Sequence, residues 1–217
     1  MLESDWKTDV RTSYDTVAAS YADLLRNSLG EQPVVRHLLA LFAEMVHNAG
    51  GGPVADVGCG TGRVTAHLRG LGVDAFGVDL SPGMIAMAHR DHPGIRFDVG
   101  SMTDLGLADG SVTGVLAWFS IIHVPDEEVR KAFLQFHRVL RPEGVLLLGF
   151  FAGDGTTLKT QGYGGHPMKV YVHRRPVERV VEWLDEAGFR TEVRLLHHVD
   201  ETVAGGMLIA RPLTATG

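Results

Sequence analysis

The chain has 217 residues, 45% of them hydrophobic, with one cysteine and a formal net charge of −6. That length suits one globular domain with a sizeable core, and the acidic balance disfavours a nucleic-acid partner. The single cysteine, Cys59, excludes an internal disulfide and suits a cytoplasmic setting; no apolar run is of membrane-spanning length, and Met1 to Val10 is unlike a signal peptide, so no membrane partner is expected.

In chain order, residues 8–28 read as a helix with Tyr14 and Tyr21 seven apart, hence on one face. Val34, Val35, Leu38, Leu41, Phe42, Met45 and Val46 form a stripe at helical period, which Gly50-Gly51-Gly52 ends. Val54-Ala55-Asp56-Val57 then runs into Gly58-Cys59-Gly60-Thr61-Gly62: a buried strand entering a glycine turn that opens a helix. Such turns are where open α/β sheets seat nucleotide cofactors. A dinucleotide turn wants G-x-G-x-x-G, yet the third glycine's position holds Arg63. Cys59 inside the turn is either a thiol activated by the helix N-terminus or simply a small residue that fits.

Val73 to Asp79 is a second strand ending in an acid, and Ser81-Pro82 supplies an N-cap and a proline at the first helical position. Ile95 to Met102 reads as a third strand and its turn, and Val112 to Phe119 as a central buried strand. Asp126 is expected to cap a helix whose inner face is Val129, Phe133, Phe136 and Leu140. Pro142-Glu143-Gly144 turns into a strand over 145–151. Pro176 starts a last helix closed by Gly188, and strands follow near 189–199 and 205–211. The alternation predicts a parallel sheet covered by helices on both faces.

The run from Val54 to Gly62 resembles motif I of the class I S-adenosylmethionine-dependent methyltransferases, and Gly77-Val78-Asp79-Leu80-Ser81-Pro82-Gly83-Met84 resembles their motif II. The resemblance extends over roughly residues 34–211. It implies a Rossmann-like three-layer α/β/α sandwich with a seven-stranded sheet, order 3-2-1-4-5-7-6, strand 7 antiparallel. One domain, 1–217, would carry residues 1–32 as a helical segment over the site and 152–175 as a candidate substrate lid.

The resemblance also implies roles. S-adenosylmethionine is the expected cofactor, S-adenosylhomocysteine its product, and no metal is expected. Asp56, Gly58, Gly60 and Thr61 belong to the cofactor turn, and Asp79 takes the ribose hydroxyls. Leu80 and Met84 pack near the adenine, whose edge meets Gly100, Ser101 and Met102; Ser101 stands where an acid is common. Tyr14, Tyr21 and Arg63 are candidates for the cofactor's carboxylate, the tyrosines otherwise fastening their helix to the domain and Arg63 otherwise being solvated. Trp118 walls the cofactor or packs in the core.

His123, after the fourth strand, is the candidate catalytic base or a histidine packed between strand and helix. Phe119, Tyr163, His166 and Tyr171 are the candidate substrate residues. The last three sit in a glycine-rich, basic and aromatic stretch that suits an anionic or aromatic small molecule, or else is an ordinary crossover. The function implied is methyl transfer to a small-molecule acceptor by in-line displacement. The alternatives are a nicotinamide-dependent Rossmann enzyme, which Arg63 argues against, and a cofactor-binding protein without methyl transfer. The run Ala117-Trp118-Phe119-Ser120 lacks the proline pair of enzymes that methylate DNA bases or protein glutamine. The oligomeric state and acceptor atom are not legible.

Overall fold

The computed structural model describes residues 5–198 and 204–213. Two helices, α1 (Trp6–Leu25) and α2 (Pro33–Asn48), precede the sheet. There follow β1 (Pro53–Val57), α3 (Arg63–Gly70), β2 (Asp74–Asp79), α4 (Pro82–Asp91), β3 (Phe97–Val99) and β4 (Val112–Trp118). A 3-10 turn, Ile121–His123, leads to α5 (Asp126–Val139), β5 (Leu140–Ala152), β6 (Gly155–Gly162) and β7 (His166–Arg174). The chain closes with α6 (Val177–Glu186), β8 (Phe189–His198) and β9 (Ala204–Pro212).

Seven strands form one sheet in the order β3-β2-β1-β4-β5-β9-β8. The first five pair in parallel, and β9 runs antiparallel to both β5 and β8. Leaving aside the separate hairpin β6–β7, this is the expected 3-2-1-4-5-7-6 order with its one antiparallel strand. Val199, the last residue of a predicted strand, lies outside the described residues. No helix among the described residues is long and apolar enough to cross a membrane.

Side-chain alternation explains the layers. Along β5, Leu146 and Leu148 join a core with α5 and α6, while Val145 and Leu147 join a second core with α2 and α3 on the opposite face. Both faces are buried along β4 and along β5 from Val145 to Phe150, so these stretches are almost wholly apolar. Parallel crossovers bring the loops after β1, β2, β3 and β4 to one end of the sheet, where open α/β sheets bind ligands.

Three local readings change. The stretch 152–175, offered as a candidate substrate lid or a crossover, is mostly a paired hairpin, from Gly155↔Arg174 to Gly162↔His166. Asp126 is the first helical residue of α5 rather than its cap; Pro125 holds the cap position, and Asp126 accepts a hydrogen bond from Arg175 Nε at 3.0 Å. That basic partner lies 49 residues away in sequence and could not be read locally. Strand β5 also starts at Leu140, earlier than expected, with an irregularity in its pairing to β4.

Candidate active site

The glycine turn is shaped by contacts that only glycine permits. Gly58 has φ 77°, and a methyl group there would collide with Cβ of Ser120, which itself donates to the Val57 carbonyl at 2.7 Å. Gly62, at φ 75°, caps α3, and a methyl group there would strike the Phe97 ring.

Above this turn lies a cavity of about 390 Å³. Its floor is Gly58, Gly60, Arg63 and Asp79, and one flank is Leu80, Met84, Gly100, Ser101 and Met102. Tyr14 and Tyr21 of α1 form the roof with Tyr163 from the hairpin. Trp118, Phe119 and His123 line the side beyond β4. A small annex of about 30 Å³ holds Asp56 and Thr61 beside Arg63. The structure thus gathers nearly every sequence-selected position around one space. The exceptions are His166 and Tyr171, whose side chains are exposed. Met168 and Val170 of β7 point inward, so strand alternation turns Tyr171 outward, and His166 sits at the tip beside Gly164-Gly165.

The two acids at the floor are held differently. Asp79 accepts from Gly60 N at 2.8 Å and from Ser81 N at 2.9 Å, one bond per oxygen. Burial pushes its carboxyl above the usual range, against those two amide bonds. Asp56 is 1% exposed and accepts from the Thr65 hydroxyl at 2.6 Å. Burial raises it to about 7. The buried Arg63 Nε has no hydrogen-bond partner. Burial raises the Tyr21 phenol to about 12, with the Tyr163 charge adding to the rise and the Arg63 charge opposing it. Burial also pushes the Cys59 thiol well up, and its side chain packs with Ile85, Ala88 and Phe97; this is a small residue that fits.

His123 is buried, with Nδ1 2.8 Å from the Tyr171 carbonyl and Nε2 2.6 Å from the Tyr14 hydroxyl. A carbonyl only accepts, so Nδ1 carries the proton. Burial lowers the imidazole to about 4, so the ring is neutral near pH 7 and Nε2 accepts from Tyr14. Tyr14 therefore stands between His123 and the cavity, with the Tyr163 hydroxyl a further hydrogen-bonding neighbour. Tyr171 enters through its backbone oxygen, which no side-chain motif could announce.

Sequence reasoning missed Trp6, Val10, Ile122, Val124 and Phe151 on the apolar wall, and Leu25, Ser28 and Gln32 near the end of α1. Their apolar majority read as ordinary core.

The α1 roof is fastened at several points. Asp15 accepts from Ser81 Oγ at 2.6 Å and from Gly83 N at 2.7 Å, at the start of α4. Ser13 Oγ accepts from Lys169 N at 2.8 Å, and Lys169 pairs with Asp9 at 2.9 Å. Among the described residues no three His, Cys, Asp or Glu side chains converge as a metal ion requires.

A methyltransferase domain model matches residues 54–144, spanning the glycine turn through the start of β5. A demethylmenaquinone methyltransferase of Chlorobaculum parvum is 32% identical over 66% of this chain and 60% of its own length. A malonyl-[acyl-carrier protein] O-methyltransferase of Hahella chejuensis is 32% identical over 87% of this chain and 66% of its own. The chain thus spans less than two thirds of the length of both curated relatives. Among solved structures, Burkholderia thailandensis 1,6-didemethyltoxoflavin-N1-methyltransferase, with its substrate and S-adenosylhomocysteine bound, superposes with a TM-score of 0.73. It covers 97% of this chain and 90% of its own, at 20% identity, a likeness of fold. The motifs, the strand order and these matches agree: the chain belongs to the class I S-adenosylmethionine-dependent methyltransferases.

Proposed function

We propose that this protein transfers a methyl group from S-adenosylmethionine to a small-molecule acceptor. The observation that carries the reading is the pairing of Asp79 with Gly60 beneath the cavity. A half-buried carboxylate already oriented by two amides keeps lone pairs for a vicinal diol. The other residues fit the group as well. A methyl on Gly60 would project into the space a ligand fills, with Tyr21 the nearest neighbour at 3.9 Å. Asp56 and the unpartnered Arg63 Nε offer one acid and one base to an amino-acid tail.

When bound, S-adenosylmethionine supplies a methyl group already activated on a sulfonium. What remains for the chain is alignment and proton management. Walls that hold the acceptor in line contribute roughly 7–11 kcal/mol in favourable cases. Tyr14 Oη receives the acceptor's proton, while its own proton passes to His123 Nε2. The imidazolium is steadied by its Nδ1–H bond to the Tyr171 carbonyl and later returns the proton to solvent. His123 is thereby a base acting through Tyr14, which unites the scaffold and base readings. The Arg63 side chain at the glycine turn weighs against the nicotinamide alternative.

Calorimetry with S-adenosylhomocysteine tests the reading. The wild type binds, and Asp79→Ala loses charge-assisted hydrogen bonds of about 1.5–3 kcal/mol, weakening binding roughly tenfold to a hundredfold. Failure of the wild type to bind at millimolar ligand, or unchanged affinity in folded Asp79→Ala, would sink it.

A further inference from the structure

Among the described residues only two that are not glycine have positive φ: Phe119 at 52° and Tyr163 at 48°. Bulky side chains rarely adopt these angles, and such strain persists where the surroundings fix it, commonly at ligand sites. Both residues are aromatic, and both line the same cavity although they come from separate loops. Phe119 sits against Trp118 and Phe151, with ring centroids 5.3 Å and 5.1 Å apart. Tyr163 sits against Tyr21 at 4.7 Å.

Charge narrows the occupant. The cavity's charged lining groups are Arg63 and Asp79, both at the cofactor floor, and His123 is neutral. The basic residues of the hairpin do not line it. Lys159 lies over the Tyr163 ring at 4.3 Å, Lys169 pairs with Asp9, and Arg175 pairs with Asp126. An anionic acceptor would find no charged lining group beyond the cofactor floor and would sit against rings, with Lys159 and Arg174 behind those of Tyr163 and Phe151, so its desolvation is repaid less than that of a neutral ring. A planar ring would meet aromatic faces and edges on two sides.

We infer that Phe119 and Tyr163 are the specificity-determining residues of the acceptor subsite and that the acceptor is an uncharged, planar aromatic molecule presenting one protic atom to Tyr14. The inference rests on the methyltransferase reading of the same cavity. It replaces the anionic option with the aromatic one, and it assigns the two strained backbones to acceptor recognition.

The test titrates protein saturated with S-adenosylhomocysteine with three probes: 2-naphthol, 6-hydroxy-2-naphthoate and decahydro-2-naphthol. The first is expected to bind at least roughly tenfold more tightly than its carboxylate or its saturated counterpart. Phe119→Gly and Tyr163→Gly, which suit the left-handed angles, should each weaken 2-naphthol by about tenfold while leaving S-adenosylhomocysteine affinity within about threefold. Phe119→Leu, which keeps bulk without a plane, gives the same loss should the glycine variant prove unstable. Undetectable 2-naphthol binding overturns the inference. So does equal binding of the carboxylate or the saturated alcohol, or undiminished affinity in folded variants. Loss of S-adenosylhomocysteine binding in the wild type instead removes the underlying reading, and the inference with it.

Discussion

At the scale of single residues, protonation states set what the site can do. Asp56, raised to about 7 by burial, carries a proton through much of the range below neutrality in the empty site. An ammonium group brought near it favours the ionised form, so ligand binding should expel that proton. Calorimetry of S-adenosylhomocysteine at about pH 6 is therefore expected to give an enthalpy that varies with the buffer's ionisation heat. The variation should fade by about pH 8, where Asp56 is already ionised, and vanish in Asp56→Asn. A buffer-independent enthalpy at the lower pH contradicts the assignment. Tyr14 and His123 make a second prediction. If they act as one relay, Tyr14→Phe and His123→Gln each slow turnover by about 10²-fold, and the double variant is no slower than either. Because His123 is already neutral above about 4, it adds no loss of rate between about pH 8 and about pH 5. Additive effects in the double variant would separate the two side chains.

Secondary elements place these groups, and one buried cation joins two of them. Arg175 follows β7, is 2% exposed, and donates to the Ile121 carbonyl at 3.0 Å and to the Val124 carbonyl. Those carbonyls bracket His123, and the Tyr171 carbonyl on the same hairpin accepts the hydrogen bond from His123 Nδ1–H. The hairpin and the 3-10 turn are therefore fixed to each other. Arg175→Ala leaves the buried Val124 carbonyl without its donor and the Ile121 carbonyl with only the Val124 amide, a cost of about 1–3 kcal/mol. Asp126 is half exposed, so its loss of a partner adds little. The variant should melt roughly 2–10 °C lower, and amide exchange should quicken along β6–β7 and the turn. Quickened exchange confined to α6 would place the tie elsewhere.

For the molecule as a whole, the cavity is walled by α1, the ends of five strands and the hairpin, so one ligand touches most of the fold. Binding to the folded state alone stabilises it by about 2.7 kcal/mol at a hundred times the dissociation constant. For a domain of this size that is a melting shift of roughly 5–10 °C. S-adenosylhomocysteine should produce it, and Asp79→Ala should require correspondingly more ligand for the same shift. Absence of any shift under saturation by calorimetry would mean that the ligand also binds the unfolded chain.

The alternation of strands and helices and the glycine turn were legible because their determinants are local, whereas the strand order followed from the resemblance those motifs carry. Gly58, Gly60 and Gly62 mark a turn that other residues cannot make, and Asp79 stands at a strand end fixed by hydrophobic pattern and by Ser81-Pro82. The apolar run of β4 and β5 likewise declares a sheet buried on both faces. The rest depended on contacts distant in sequence. Asp126 looked like a cap until Arg175 claimed it, and the glycine-rich stretch looked loose until its strands paired and Ser13 took the Lys169 amide. Tyr171 suggested a recognising ring, but alternation along β7 turns the ring outward and leaves its carbonyl to orient His123. By itself, the sequence determined where the chain bends, which strands are buried and where a cofactor would lie. Only the tertiary structure decided which side chains share one cavity, which tautomer His123 holds and which charges are excluded, because these follow from desolvation and from partners 109 and 156 residues apart.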